Sequence, residues 1–172
     1  MLRRAPLPLA TVLLALTGAA LAPSAVFARE LVALETPLPA GAMLVRTGER
    51  RLYLSLGNGA ALRYRVAVGK PGKQWFGTRH VDGLHVAPAW SPPWEVKRDN
   101  PRLPDVIPGG APSNPMGAAA LTLTGGAYAI HGTNRPESVG QAASYGCFRM
   151  RNEDVLDLLA RVRLGAPVTV TP

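Results

Sequence analysis

The chain is expected to fold as a mainly β domain with one main C-terminal helix and a long Pro/Gly/Trp-rich loop. Three observations predict this. Residues 43–69 alternate apolar and polar side chains as paired strands do. Glycine and proline are abundant, 18 and 17 of 172 residues, and gather between the apolar runs. Only the stretch after Asn152 places apolar residues at helical spacing.

The first 28 residues read as a secretory signal peptide. Met1-Leu2-Arg3-Arg4 is a short basic region, an apolar run extends from Leu7 to about Leu21, and Val26-Phe27-Ala28 carries small residues at a cleavage site. The run is interrupted by Pro8, Thr11 and Thr17 and falls short of the ~20 residues that span a bilayer, which disfavours an anchor. No cysteine lies near the cleavage site, which excludes lipoprotein anchoring. Residues 29–40 read as a short linker, and the remainder, 41–172, as one domain large enough for a proper core.

Within that domain Met43-Leu44-Val45 opens a strand, and Leu52, Leu54 and Leu56 share one face of the next. Gly57-Asn58-Gly59 signals a hairpin, because both residue types tolerate positive φ, and Leu62 to Val68 alternates again to close it. Gly69-Lys70-Pro71-Gly72-Lys73 is a further turn. From Val81 to Gly117 the chain is rich in Pro, Gly and Trp and reads largely as loop, since proline lacks the donor that central strands and helices need. A loop of that length is often a lid or binding loop. Trp90 is a candidate substrate contact. Its alternative role, shared with Trp94, is to pin the loop to the core.

Ala120–Leu123 and Ala127–Ile130 are strand-like, joined at Gly125-Gly126, and the second delivers His131 at its end. Asn152 is expected as a helix N-cap, with Glu153 and Asp154 in the first turn. Val155, Leu158, Leu159 and Val162 form one face, Gly165 a stop, and Pro167–Val170 a last strand.

The formal charge is +8, and +6 once Arg3 and Arg4 leave with the signal peptide. A basic exported protein favours anionic partners such as a cell wall or membrane surface. The Lys and Arg residues are scattered with no recognised binding motif, so nucleic acid is not an expected partner. No His, Asp and Cys cluster has metal-ligand spacing and there is no phosphate-binding glycine loop, so no metal or cofactor is implied.

The chemistry centres on Cys147, the sole cysteine. Exported proteins usually hold cysteines in disulfides. A lone one is inert, pairs with another molecule, or is kept as a reactive thiol. A nucleophilic cysteine needs a base, and His131 lies 16 positions earlier, within reach if the two sit on adjacent strands or on a strand and a loop. The imidazole needs an orienting group, for which the Gly132 carbonyl is placed. Gly146 permits close approach of the chain to a reacting carbonyl, and the amides around Tyr145, Gly146 and Cys147 are candidates for an oxyanion hole. On these residues alone a catalytic thiol and a buried structural cysteine both stay open. A catalytic thiolate should alkylate quickly at neutral pH and depend on His131.

Ile130-His131-Gly132-Thr133-Asn134-Arg135-Pro136, followed by Ser144-Tyr145-Gly146-Cys147-Phe148-Arg149-Met150, resembles the L,D-transpeptidase catalytic domain (YkuD) family. Its signature is a His-Gly pair, a spacer of this length, and Ser-x-Gly-Cys-x-Arg. The resemblance extends over roughly residues 41–171. It takes in Val68-Gly69-Lys70, Trp90-Ser91-Pro92-Pro93, Asn114-Pro115-Met116-Gly117 and the helix after Arg151. It implies β-sandwich-like mixed sheets. Cys147 would be the acylated nucleophile, His131 its base and Gly132 the source of the orienting carbonyl. Ser144 would shape the loop. Arg149 would line the site, binding a substrate carboxylate or making a structural salt bridge, and Tyr128 is a further candidate substrate contact. Many members have histidine where this chain has Tyr145.

The resemblance further implies attack on a peptidoglycan tetrapeptide stem, with release of D-alanine and transfer to an amine. That amine belongs to a neighbouring stem (a 3→3 cross-link) or to a lysine of an outer-membrane lipoprotein. Water as acceptor would give an L,D-carboxypeptidase. The rivals are a non-catalytic wall-binding module and a papain-like peptidase, and the latter expects its cysteine upstream of its histidine, the reverse of the order here. The protein is expected in the periplasm, as a monomer.

Overall fold

A computed structural model describes residues 29–172; the expected signal peptide, 1–28, lies outside the described residues. Strands β1 (Arg29–Ala33), β2 (Met43–Arg46), β3 (Arg51–Gly57), β4 (Ala60–Arg65) and β5 (Val68–Gly69) come first. β3 and β4 form the expected hairpin. Asn58 and Gly59 take φ of 52° and 76°, the two positive values a tight two-residue turn requires. Then follow β6 (Gly77–Val86), helix α1 (Trp94–Asp99), β7 (Ala119–Leu123) and β8 (Tyr128–His131). After a 3-10 turn (Pro136–Ser138) come β9 (Ala142–Ser144), β10 (Phe148–Arg149), helix α2 (Asn152–Leu159) and β11 (Pro167–Thr171).

Nine strands join in the order β1-β4-β3-β2-β11-β6-β7-β8-β10, and β5 pairs with β9 separately. β2 with β11 and β8 with β10 are parallel and the other pairs of the large sheet antiparallel, so the sheet is mixed. β6 is the hinge of the layout. Its first residues pair with β11, its later ones with β7, and its register shifts between Val81 and Gly83. Val45, Leu52, Leu54 and Tyr64 from one half share a core with Leu121, Leu123, Ile130 and Phe148 from the other, so the sheet folds over on itself. Helix α2 adds Val155 and Leu158, both fully buried, with Val162 just beyond its end. Each such side chain contributes roughly 1.5–3 kcal/mol by leaving water.

Three local expectations are corrected. The segment read as a linker begins with β1, an edge strand on β4. Its side chains are mostly exposed, Leu31 to 71%, so it carries no burial pattern and exists because β4 offers an unpaired edge. The loop expected from Val81 begins only after Val86. In β6 the burial pattern shows Val81 alone buried, so the strand is made by pairing on both sides and not by alternation. Asn152 is the first residue of α2, not its cap. Arg151 stands at the N-cap, where its side chain caps no backbone amide.

The remaining loop is organised from inside by Asn114, which is 2% exposed. Its amide donates to the carbonyls of Pro88 and Pro108, each at 2.9 Å, and its Oδ1 accepts from the Met116 amide at 2.9 Å. Helix α1 buries no residue, and Trp94, expected as a pin, is 73% exposed beneath the Arg98 guanidinium. Trp90 is half-buried and bridges Ile107 through backbone hydrogen bonds of 2.9 and 2.8 Å, so it braces the loop against itself.

Asp154 is 3% exposed, and its Oδ2 finds no partner. Burial, reinforced by Glu153, pushes its carboxyl up to about 6. The folded chain therefore holds this proton more tightly than the unfolded chain. The associated stability is present below the ordinary carboxyl range and is lost as pH rises through about 6. Asp154→Asn should raise the Tm by about 2–4 °C at pH 7.5, and the gain should vanish at pH 4, as read by thermal unfolding at both pH values.

Candidate active site

The parallel pairing of β8 and β10 sets Phe148 opposite Ile130 and Arg149 opposite His131. Ile130 and Phe148 are 0% and 2% exposed and point into the core. Side chains alternate along a strand, so His131 and Arg149 emerge on the other face, as does Cys147, one residue before Phe148. Cys147 therefore stands level with Ala129. It is a diagonal neighbour of His131 across two adjacent strands. The intervening residues form the 3-10 turn and β9, the crossover that brings β10 back parallel to β8.

His131 is 4% exposed. Its Nδ1 lies 2.6 Å from the Gly132 carbonyl, which can only accept, so Nδ1 carries the proton and Nε2 is left as the basic nitrogen. Burial first, and then the Arg149 guanidinium, push the imidazole down to about 4 against the carbonyls of Gly132 and Pro115. The ring is neutral at pH 7 and ready to accept a proton.

Cys147 keeps some exposure, and its Sγ lies 3.8 Å from the Ala127 carbonyl. Close packing still pushes the thiol above its ordinary range, against the Ala129 amide and Arg149, which favour thiolate. The resting pair is thus a neutral thiol beside a neutral imidazole. Such a thiol ionises as His131 takes its proton or as pH rises, so its reactivity depends on that histidine.

Arg149 is half-buried and forms no ion pair among the described residues, so no carboxylate uses it structurally. Burial lowers its affinity for the proton, and the neighbouring Arg135 adds to this. A guanidinium so placed is an open seat for an anionic group on the face that holds Cys147 and His131.

The loop before Cys147 is shaped by Ser144. Its Oγ accepts from the Gly146 amide at 3.1 Å and donates to the Cys147 carbonyl at 2.6 Å. The Gly146 amide is thereby engaged and unavailable to an oxyanion, a correction to the three-amide expectation. The amides of Tyr145 and Cys147 have no acceptor among the described residues. Gly146 takes φ of +116°, and a Cβ there would sit 2.5 Å from Tyr128 Cε1 and 3.1 Å from the Lys73 carbonyl. Gly146→Ala should slow acylation of Cys147 by about 10–100-fold, the equivalent of ~1–3 kcal/mol of backbone strain, in a stopped-flow adduct assay.

The other candidates are placed as follows. Tyr128, expected at the substrate, packs on Trp75 with ring centroids 5.3 Å apart and lies against Gly146, so it buttresses the nucleophile loop. Tyr145 sends its hydroxyl to Asp99 Oδ2 at 2.7 Å, and Lys70 Nζ stands 3.8 Å from its ring centroid. It ties the nucleophile loop to α1, which Lys73 also holds through Glu95. Trp90 lies on the loop away from Cys147 in sequence and, among the described residues, bonds only to Ile107. His80 and His85 lie on β6, His85 being two strands from His131 along one row through Ala120.

Two roles beside the site escaped the sequence reading. Asn152 Oδ1 accepts from the amides of Ala118 and Thr133, each at 3.0 Å, clamping the chain just beyond His131. Cβ atoms built on Gly117 and Gly132 would come within 2.2 and 2.3 Å of that oxygen, so both positions need glycine. Trp75 donates its indole N–H to the Gly146 carbonyl at 3.0 Å. A cavity of about 310 Å³ opens beside Thr133, lined by Asn114, Asn134 and Asn152 among others, and neither Cys147 nor His131 lines it.

The family model for the L,D-transpeptidase catalytic domain, YkuD, matches residues 40–170. The Escherichia coli K12 protein named "Probable L,D-transpeptidase YbiS" is 36% identical over 135 residues, which cover 73% of this chain and 43% of that protein. YkuD of Bacillus licheniformis is 35% identical over 133 residues, covering 74% of this chain and 78% of its own length. The chain thus spans less than half of the first relative. A crystal structure of L,D-transpeptidase 3 from Mycobacterium tuberculosis, in complex with a faropenem-derived adduct, has the same fold. Its TM-score is 0.60 at 14% identity, over 77% of this chain and 60% of that one.

Proposed function

This chain belongs to the L,D-transpeptidase catalytic domain family, and from that premise we propose that it is an exported cell-wall acyltransferase acting on peptidoglycan tetrapeptide stems. The observation that supports the reading is the β8–β10 register, which brings the segment after Cys147 alongside His131, whose Nδ1 the Gly132 carbonyl holds at 2.6 Å.

In the first half-reaction Nε2 of His131 takes the thiol proton as Sγ attacks the carbonyl between the third stem residue and the terminal D-alanine. The tetrahedral oxyanion meets the free amides of Tyr145 and Cys147. Collapse breaks the amide bond, His131 returns its proton to the departing amine of D-alanine, and the stem remains as a thioester on Cys147. In the second half-reaction an acceptor amine attacks the thioester and loses a proton to His131; the C–S bond breaks, the stem leaves joined to the amine by a new amide, and Sγ takes the proton back from His131. Arg149 offers its charge to a stem carboxylate during both. The acceptor is a neighbouring stem or a lipoprotein lysine. The family resemblance, the basic charge and the leader pattern support a monomeric periplasmic protein whose catalytic domain, read as 41–172 from the sequence, gains β1 at its sheet edge. Among the described residues no helix is long and apolar enough to cross a membrane.

The test is intact-protein mass after incubation with a carbapenem, run beside a reaction with purified disaccharide-tetrapeptide. A stoichiometric adduct, with D-alanine release and stem dimers, is the expected result. D-alanine release without dimers would indicate water or a missing protein acceptor. No adduct and no release would leave a wall-binding module.

A further inference from the structure

The geometry points to Trp75 as a positioning residue that sets the direction of the Cys147 amide and so completes the oxyanion site; the inference rests on the acyl-transfer reading above. The Gly146 carbonyl and the Cys147 N–H belong to one planar trans peptide and point in opposite directions. Fixing one fixes the other. Trp75 Nε1 donates to that carbonyl at 3.0 Å. Gly146 needs such a clamp. At φ of +116° it has no side chain to hinder rotation of the peptide plane, and its own amide is held by the Ser144 hydroxyl.

The indole is itself held on several sides. Its ring packs on Tyr128 at 5.3 Å and on Phe148 at 5.7 Å between centroids, so Trp75 touches residues on both sides of the nucleophile. The Arg79 guanidinium lies 4.8 Å from the Trp75 ring centroid and 4.7 Å from that of Tyr128, covering both rings. Arg79 is in turn tied to the Thr124 carbonyl at 2.5 Å. The donor is therefore locked in place before any substrate arrives, which is what oxyanion stabilisation requires.

Two reactions of the same sulfur separate this role from packing. Acylation by a carbapenem passes through an oxyanion, whereas alkylation by iodoacetamide is a displacement at carbon that forms none. Trp75→Phe keeps an aromatic ring and removes the donor. Acylation should slow by about 10–100-fold, somewhat less than the loss of a direct oxyanion donor, while alkylation stays within about twofold of wild type. Placing 3-benzothienyl-alanine at this position keeps the bicyclic shape without the N–H and should give the same split, including if the phenylalanine variant fails to fold. Acylation at the wild-type rate in both variants would overturn the inference, as would an equal fall in both reactions. Failure of the wild-type chain itself to take the adduct would overturn the acyl-transfer reading and this inference with it.

Discussion

Cys147→Ala should take up no carbapenem mass and release no D-alanine. Both activities should fall by about 10⁴-fold or more, because removing a nucleophile that acts as one unit with its base removes nearly all of the covalent chemistry. The fold should survive. Cys147 retains some exposure and its sulfur contacts the Ala127 carbonyl at 3.8 Å, so truncation leaves no large cavity in the core. Intact mass and thermal unfolding on one sample check both halves of this expectation. A persisting stoichiometric adduct would remove Cys147 from the chemistry.

His131→Asn should slow acylation by about 10²–10⁴-fold, the usual contribution of a general base. The wild-type pH profile carries the sharper statement. Burial and Arg149 push the ring from an ordinary 6.5 down to about 4, so His131 remains a base through mildly acidic solution. Acylation should hold its rate from pH 7 to about 5 and fall only as pH approaches 4. The same depression affects stability with the opposite sign to Asp154. The unfolded chain binds this proton more readily, so stability is present above about 6.5 and is lost as pH falls toward 4. His131→Asn should therefore lose less stability on acidification than wild type does. An acid limb near 6.5 in the acylation profile would show the ring to be solvated and the burial argument wrong.

The contrast between these groups and their surroundings shows what was legible in the chain. His131, Gly132, Ser144, Gly146, Cys147 and Arg149 lie in two short segments, and it is the motif formed by their residue types and spacing that carries the family resemblance. The hairpin at Asn58-Gly59 and the apolar face of α2 are equally local, since positive φ and the helical period are properties of neighbouring residues. β6 was not legible, because its side chains are mostly exposed and its partners, β11 and β7, are distant in sequence. Asn152 has the residue type of a helix cap, yet its oxygen is drawn to two amides that the fold leaves open beside it.

The chain alone supplied the candidate pair of Cys147 and His131, its order and its flanking glycines, because these features reside in residue type and short spacing. Only the tertiary structure decided that burial disfavours the charged form of both His131 and Cys147. It also decided that Tyr145 reaches Asp99 and that Trp75, 71 positions before Gly146, holds the peptide of the nucleophile. Such contacts come from strand pairings between remote segments, and no local pattern records which remote groups those pairings bring together.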